Sequence, residues 1–173
     1  MFNLVLTVIT FAFLAIGSYA ALHADGGSLL LSFERMSDKA TIVRLINDSQ
    51  QIGAAQRFHL AVKGRQAENP EVLVQQGFLK AIPGAPGGTK GGWVLDEAGN
   101  AALLAFERGE DYDRFASRVC ALAGEMGGSA ALRVSGTRPS RKDLDAEGVL
   151  FGCGRSSAEN KATPPDTWFI HGF

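Results

Sequence analysis

No Asp, Glu, Lys or Arg occurs between Met1 and Ala24, and most positions in that stretch are apolar. As an α-helix it would be about 36 Å long at about 1.5 Å per residue, enough to cross a hydrocarbon core of about 30 Å. The pattern predicts one membrane-spanning or filament-packing helix over residues 1–24. A cleaved signal peptide is the alternative, because Ser18 and Ala20 place small residues before a cut preceding Ala21. Both readings export the rest of the chain.

Asp25-Gly26-Gly27-Ser28 predicts a break, since each glycine costs a helix about 1 kcal/mol relative to alanine. Apolar residues then recur at helical spacing: Leu29, Phe33, Met36, Ala40 and Val43, followed by Ile52, Ala55, Phe58 and Val62. These stripes predict an amphipathic helical continuation over 29–63 whose apolar face, including Phe33, Met36, Ala40, Val43, Ile52, Ala55 and Phe58, is core. Asn47 to Gln51 is either exposed helix surface or a local restart capped by Asp48 or Ser49. Gly64 ends the run.

Beyond it, Asn69-Pro70 marks a short helix, with Asn69 as cap, Pro70 in the first turn and Gly77 at the end. "PGAPGGTKGG", Pro83 to Gly92, reads as a flexible loop. It is not a phosphate loop, because Thr89-Lys90 has the wrong order and no strand precedes it. Trp93–Leu95 and Ala102–Phe106 form a hairpin about a turn at Glu97–Asn100. Asp111–Glu125 is a helix with Tyr112, Phe115, Val119 and Leu122 on one face. Ala130–Val134, with Leu132 toward the core, Val149–Phe151 and Thr167–Ile170 are strands. The fold class is α+β: a long N-terminal helix, apolar in its first half, packed on a small antiparallel sheet. Residues 1–24 are the apolar helix and 25–173 the globular domain.

Composition narrows the function only a little. With 173 residues, 46% of them hydrophobic, the chain can bury one ordinary core, and a net charge of -1 gives no global field for an anionic partner. Export permits oxidation, so a bridge between Cys120 and Cys153 is expected; two separately buried thiols are the alternative. No constellation of catalytic, cofactor-binding or metal-ligating residues emerges. His23, His59 and His171 lack metal-ligand spacing and read as partly exposed structural residues. Asp111 and Asp113 suit a helix N-terminus. Arg133, Arg138, Arg141, Lys142 and Arg155 make the one basic concentration; it reads as a solvated loop, and Arg138, Arg141 and Lys142 are candidate contacts for DNA or an anionic cell surface.

The stretch "NDSQQIGAAQRFHLAVKGRQAENPEVLVQQGFLKAIP" resembles the region after the N-terminal helix in type IV pilins, above all type IVb pilins and minor pilin-like subunits. The layout of apolar helix, amphipathic half, small sheet and two late cysteines extends the resemblance over nearly the whole chain. It implies a structural subunit held in a bacterial inner membrane by one span, with its C-terminal domain in the periplasm, then assembled with like or related pilins into an extracellular filament. Leu4, Val5, Val8, Ile9, Phe11 and Leu14 would pack the filament, and Cys120 with Cys153 would pin the C-terminal region. Counted from Met1, Val5 stands where such subunits usually carry Glu. An accessory, initiating or tip subunit tolerates that change. The other readings are a pseudopilin of a secretion system and a periplasmic binding module released after Ala20.

Overall fold

A computed structural model of the chain describes residues 26–135, 137–156 and 166–173, with side chains from Glu34 onward. The elements are α1 (Gly26–Lys63), α2 (Pro70–Gln75), β1 (Thr89–Leu95), β2 (Ala101–Phe106), α3 (Glu110–Glu125), β3 (Ser129–Leu132), α4 (Arg141–Glu147), β4 (Phe151–Arg155) and β5 (Thr167–Gly172). The chain divides into two units, Met1–Ser37 and Asp38–Phe173. The described part of the first is helical.

The fold class is α+β, with a long N-terminal helix and a five-stranded, mostly antiparallel sheet in the order β1-β2-β5-β4-β3. One pair departs from the expected all-antiparallel arrangement: β3 runs parallel to β4, reached through α4. A parallel neighbour requires a crossover, and α4 supplies it. The interior strand β2, AALLAF, is buried at every position, as a strand covered on both faces must be. Its even positions, Ala102, Leu104 and Phe106, join Trp93, Phe169 and Cys153 under α1, α2 and α3. Its odd positions, Ala101 and Leu103, join Leu132, Leu144 and Ile170 on the opposite face. That second face lies close to the backbone of β4, where a Cβ on Gly154 would sit 2.6 Å from the Val134 side chain.

α1 differs from expectation in two ways. It includes Gly26–Ser28, where a break is predicted. It continues through Asn47–Gln51, the first of the two alternatives for that stretch, and ends at Lys63 before Gly64, as the sequence indicates. The second difference is its phase. The buried seam is Asp38, Ile42, Leu45, Ser49, Ile52, Gln56 and His59, spaced alternately by four and three. Ile52 and Ala55 are core as predicted, but Met36, Ala40, Val43, Phe58 and Val62 are exposed. The seam is half polar, and two of its polar members, Gln56 and His59, hold the loops that wrap α1. Gln56 donates to the Ala67 and Gly99 carbonyls and accepts from the Ala67 amide, joining α1 to the 64–69 loop and the β1–β2 turn. Ser49 donates to Ile46 O at 2.7 Å, and His59 Nδ1 bonds Arg65 O at 2.9 Å.

The local signals elsewhere act as read. Asn69 Oδ1 accepts from Val72 N and caps α2. Asp96 Oδ1 accepts from the Asn100 and Ala101 amides and closes the hairpin turn. The predicted loop through Gly92 is shorter than expected, because Thr89 to Gly92 already belong to β1.

Candidate functional site

Leu4, Val5, Val8, Ile9, Phe11 and Leu14 lie outside the described residues. Among the described residues no helix is long and apolar enough to cross a membrane. The candidate surface that can be described is therefore the outward side of α1 within the second unit.

Val43, Ala54, Phe58 and Ala61 fall within about 60° of one another at about 100° per residue, on the side opposite the buried seam, and exposed Asn47 lies in the same arc between Val43 and Ala54. All four are exposed, Val43 by 46% and Phe58 by 61%, and Val62 beside them by 56%. Phe58 also meets Phe78 edge-on, with ring centroids 5.4 Å apart, so its ring is held in place while one face stays open. Scattered apolar side chains on a surface are ordinary, but a row on one helix face is the geometry by which helices pack laterally. Sequence periodicity assigns Val43 and Phe58 of this face to the core and does not single out Ala54 or Ala61. It misplaces the two because the true seam carries Asp38, Ser49, Gln56 and His59.

Cys120 of α3 and Cys153 of β4 form a disulfide with Cα atoms 5.5 Å apart. Both are buried, at 6% and 2% exposure, beneath the face that α1 covers. The bridge ties the helix that follows the β1–β2 hairpin to the strand next to β5.

The basic run contains a helix, α4, rather than only a loop. Asp143 organises it. Its carboxylate accepts the Ser135 amide and hydroxyl at 3.0 and 2.7 Å and the Ser140 amide and hydroxyl at 2.8 and 2.9 Å. Burial raises its pKa, but these four bonds outweigh burial and hold it below the usual carboxylate range. Arg141 donates Nε to Asp145 at 2.8 Å and its amide to Asp96 Oδ2 at 3.1 Å, and its guanidinium lies against Gly172. Arg138 stands over the Trp168 ring, 5.6 Å from its centroid. Lys142 is exposed.

The two described histidines are buried, contrary to expectation, at 1% for His59 and 6% for His171. Among the described residues no group of three or more His, Cys, Asp or Glu is arranged to hold a metal ion. Asp111 and Asp113 lie in the first turn of α3, together with Glu110, where a carboxylate favours the helix dipole. No protein-family model, curated protein or solved structure matches the chain.

Proposed function

We propose that this chain is a structural subunit, a pilin or minor pilin, of a type IV-like filament, exported and held in the inner membrane through residues 1–24 before it assembles. The observation that carries the reading is the outward row on α1. Val43 and, three turns on, Ala54, Phe58 and Ala61 are exposed apolar positions, with exposed Asn47 between them, on a helix whose opposite side is already committed to the sheet. A subunit that assembles through its N-terminal helix needs that division of labour: one side for its own head, the other for its neighbours. The uncharged stretch Met1–Ala24 extends the same logic, since an apolar rod without charge is at home both in lipid and among copies of itself. The disulfide suits an oxidising compartment outside the cytoplasm.

The test is to shear surface appendages from cells, image them and identify their subunits by mass spectrometry. The chain is expected in the fibres, and a chain lacking residues 1–24 is expected to be absent from them. Recovery of the truncated chain in fibres overturns the reading. Mature protein starting at Ala21 in the periplasm, with no fibre-associated form, replaces it with a soluble binding module.

A further inference from the structure

β5 carries Phe169, His171 and, one residue past the strand, Phe173 on the side facing α1, because side chains alternate along a strand. Phe173 packs where α1 has no side chain: a Cβ built on Gly53 would lie 2.5 Å from the Phe173 ring. Gly53 is thus a notch, and only a residue without a side chain lets the ring sit there. Two backbone bonds close the seat, Phe173 N to Asn100 O at 3.0 Å and Gly172 N to Leu150 O at 2.8 Å.

His171 sits directly behind that seat. Its ring stacks on Phe151 at 6.3 Å, and its Nδ1 is buried with no hydrogen-bond partner among the described residues. The charged groups around it are cations: Arg57 from α1 and Arg141 from α4. Its register partners on the flanking strands are Ala102 of β2 and Phe151 of β4, which carry no charge. The carboxylates on Arg141 are engaged there, Asp96 with its backbone amide and Asp145 with its Nε.

We propose that His171 is the proton-sensitive catch of a latch formed by Phe173 and the Gly53 notch, so that protonating the imidazole releases residues 171–173 from α1. A third positive charge in this position would be buried beside the Arg57 and Arg141 guanidinium groups, with no carboxylate bonded to it. Releasing the segment gives the imidazolium water. This inference does not depend on the filament reading.

Burial first, then Arg141 and Arg57, push the imidazole down from 6.5 to about 4 in the latched state. Above its ordinary value both states are neutral and the latch is at full strength. As pH falls from 6.5 toward 4 the open state takes up a proton that the latched state refuses, so opening becomes easier. Below about 4 both are protonated and the effect levels off.

The test is amide hydrogen exchange on the full chain in detergent, corrected for intrinsic rates. Between about pH 7 and about pH 5 the opening equilibrium read at Gly172 and Phe173 should rise about 20-fold, with amides in the centre of α3 unchanged. His171→Phe keeps the ring stack and should abolish the rise. Arg57→Gln removes one cation and should reduce it, which keeps the test decisive if His171→Phe does not fold. Equal protection at both pH values in the native chain, an equal rise in His171→Phe, or an imidazole NMR titration centred near the ordinary value would overturn the proposal.

Discussion

Arg118 Nε donates to Asp38 Oδ2 at 2.8 Å, joining α3 to the first residue of the buried seam on α1 across 80 positions of sequence. Asp38 is 4% exposed, whereas nearly half of the Arg118 side chain is in solvent. Removing the arginine therefore strands a carboxylate in a site that cannot hydrate it, while removing both partners leaves no such charge. Arg118→Ala is expected to cost about 1–3 kcal/mol, and Asp38→Ala with Arg118→Ala together no more than that. Urea denaturation of the two single variants and the double variant gives the coupling.

The Cys120–Cys153 bridge joins two buried positions 33 residues apart, so it restricts the unfolded chain without exposing core. Cys120→Ser with Cys153→Ser, or reduction of the native chain, is expected to lower stability by about 2–4 kcal/mol. The same measurement with and without reductant checks it: reductant should shift the native midpoint and leave the double variant where it is.

How much of this arrangement is legible in the residues depends on whether the signal is local. Asn69-Pro70, the turn before Ala101, the α3 periodicity and the aromatic strand Thr167–Ile170 each carry their own start, stop or period, and each lies within a few residues of its predicted place. The phase of α1 is not local. Gln56 is buried because Ala67 and Gly99 present backbone groups to it, and those groups come from loops that periodicity cannot place. The parallel β3–β4 pair is likewise a tertiary choice. α4 does carry a signal, Ser140 three residues before Asp143, but the surrounding arginines and lysine make the segment look like charged loop.

Asp143 makes a pH prediction opposite in origin to that of a histidine. Its four bonds from Ser135 and Ser140 favour the ionised form, so its folded pKa lies below 3.8. The stability it contributes is present above that ordinary value and is lost as pH falls below it toward the depressed folded one. Asp143→Asn keeps the shape but forfeits charge-assisted bonds, and should cost about 2 kcal/mol at neutral pH. Its stability should also fall less steeply than that of the native chain below about pH 4. Acid titrations followed by far-ultraviolet circular dichroism compare the two directly.

Substitutions on the outward face of α1 test folding and the proposed assembly separately. Val43 and Val62 are 46% and 56% exposed, so an acidic side chain at either place meets water in the isolated subunit. Val43→Asp and Val62→Asp should each change the unfolding free energy by no more than about 0.5–1 kcal/mol, the range of surface substitutions with a helix-propensity cost. In a filament the same side chains would face a neighbouring subunit, where an unpaired carboxylate is costly to bury. Both variants are therefore expected to accumulate as folded, disulfide-bonded protein in cells and to disappear from sheared fibres. Ile52→Asp, at a fully buried position of the seam, serves as the contrast. It should lose folded protein first, with any loss of fibres following from that. If the Val43 and Val62 variants enter fibres at native levels, the outward face of α1 is not an assembly surface.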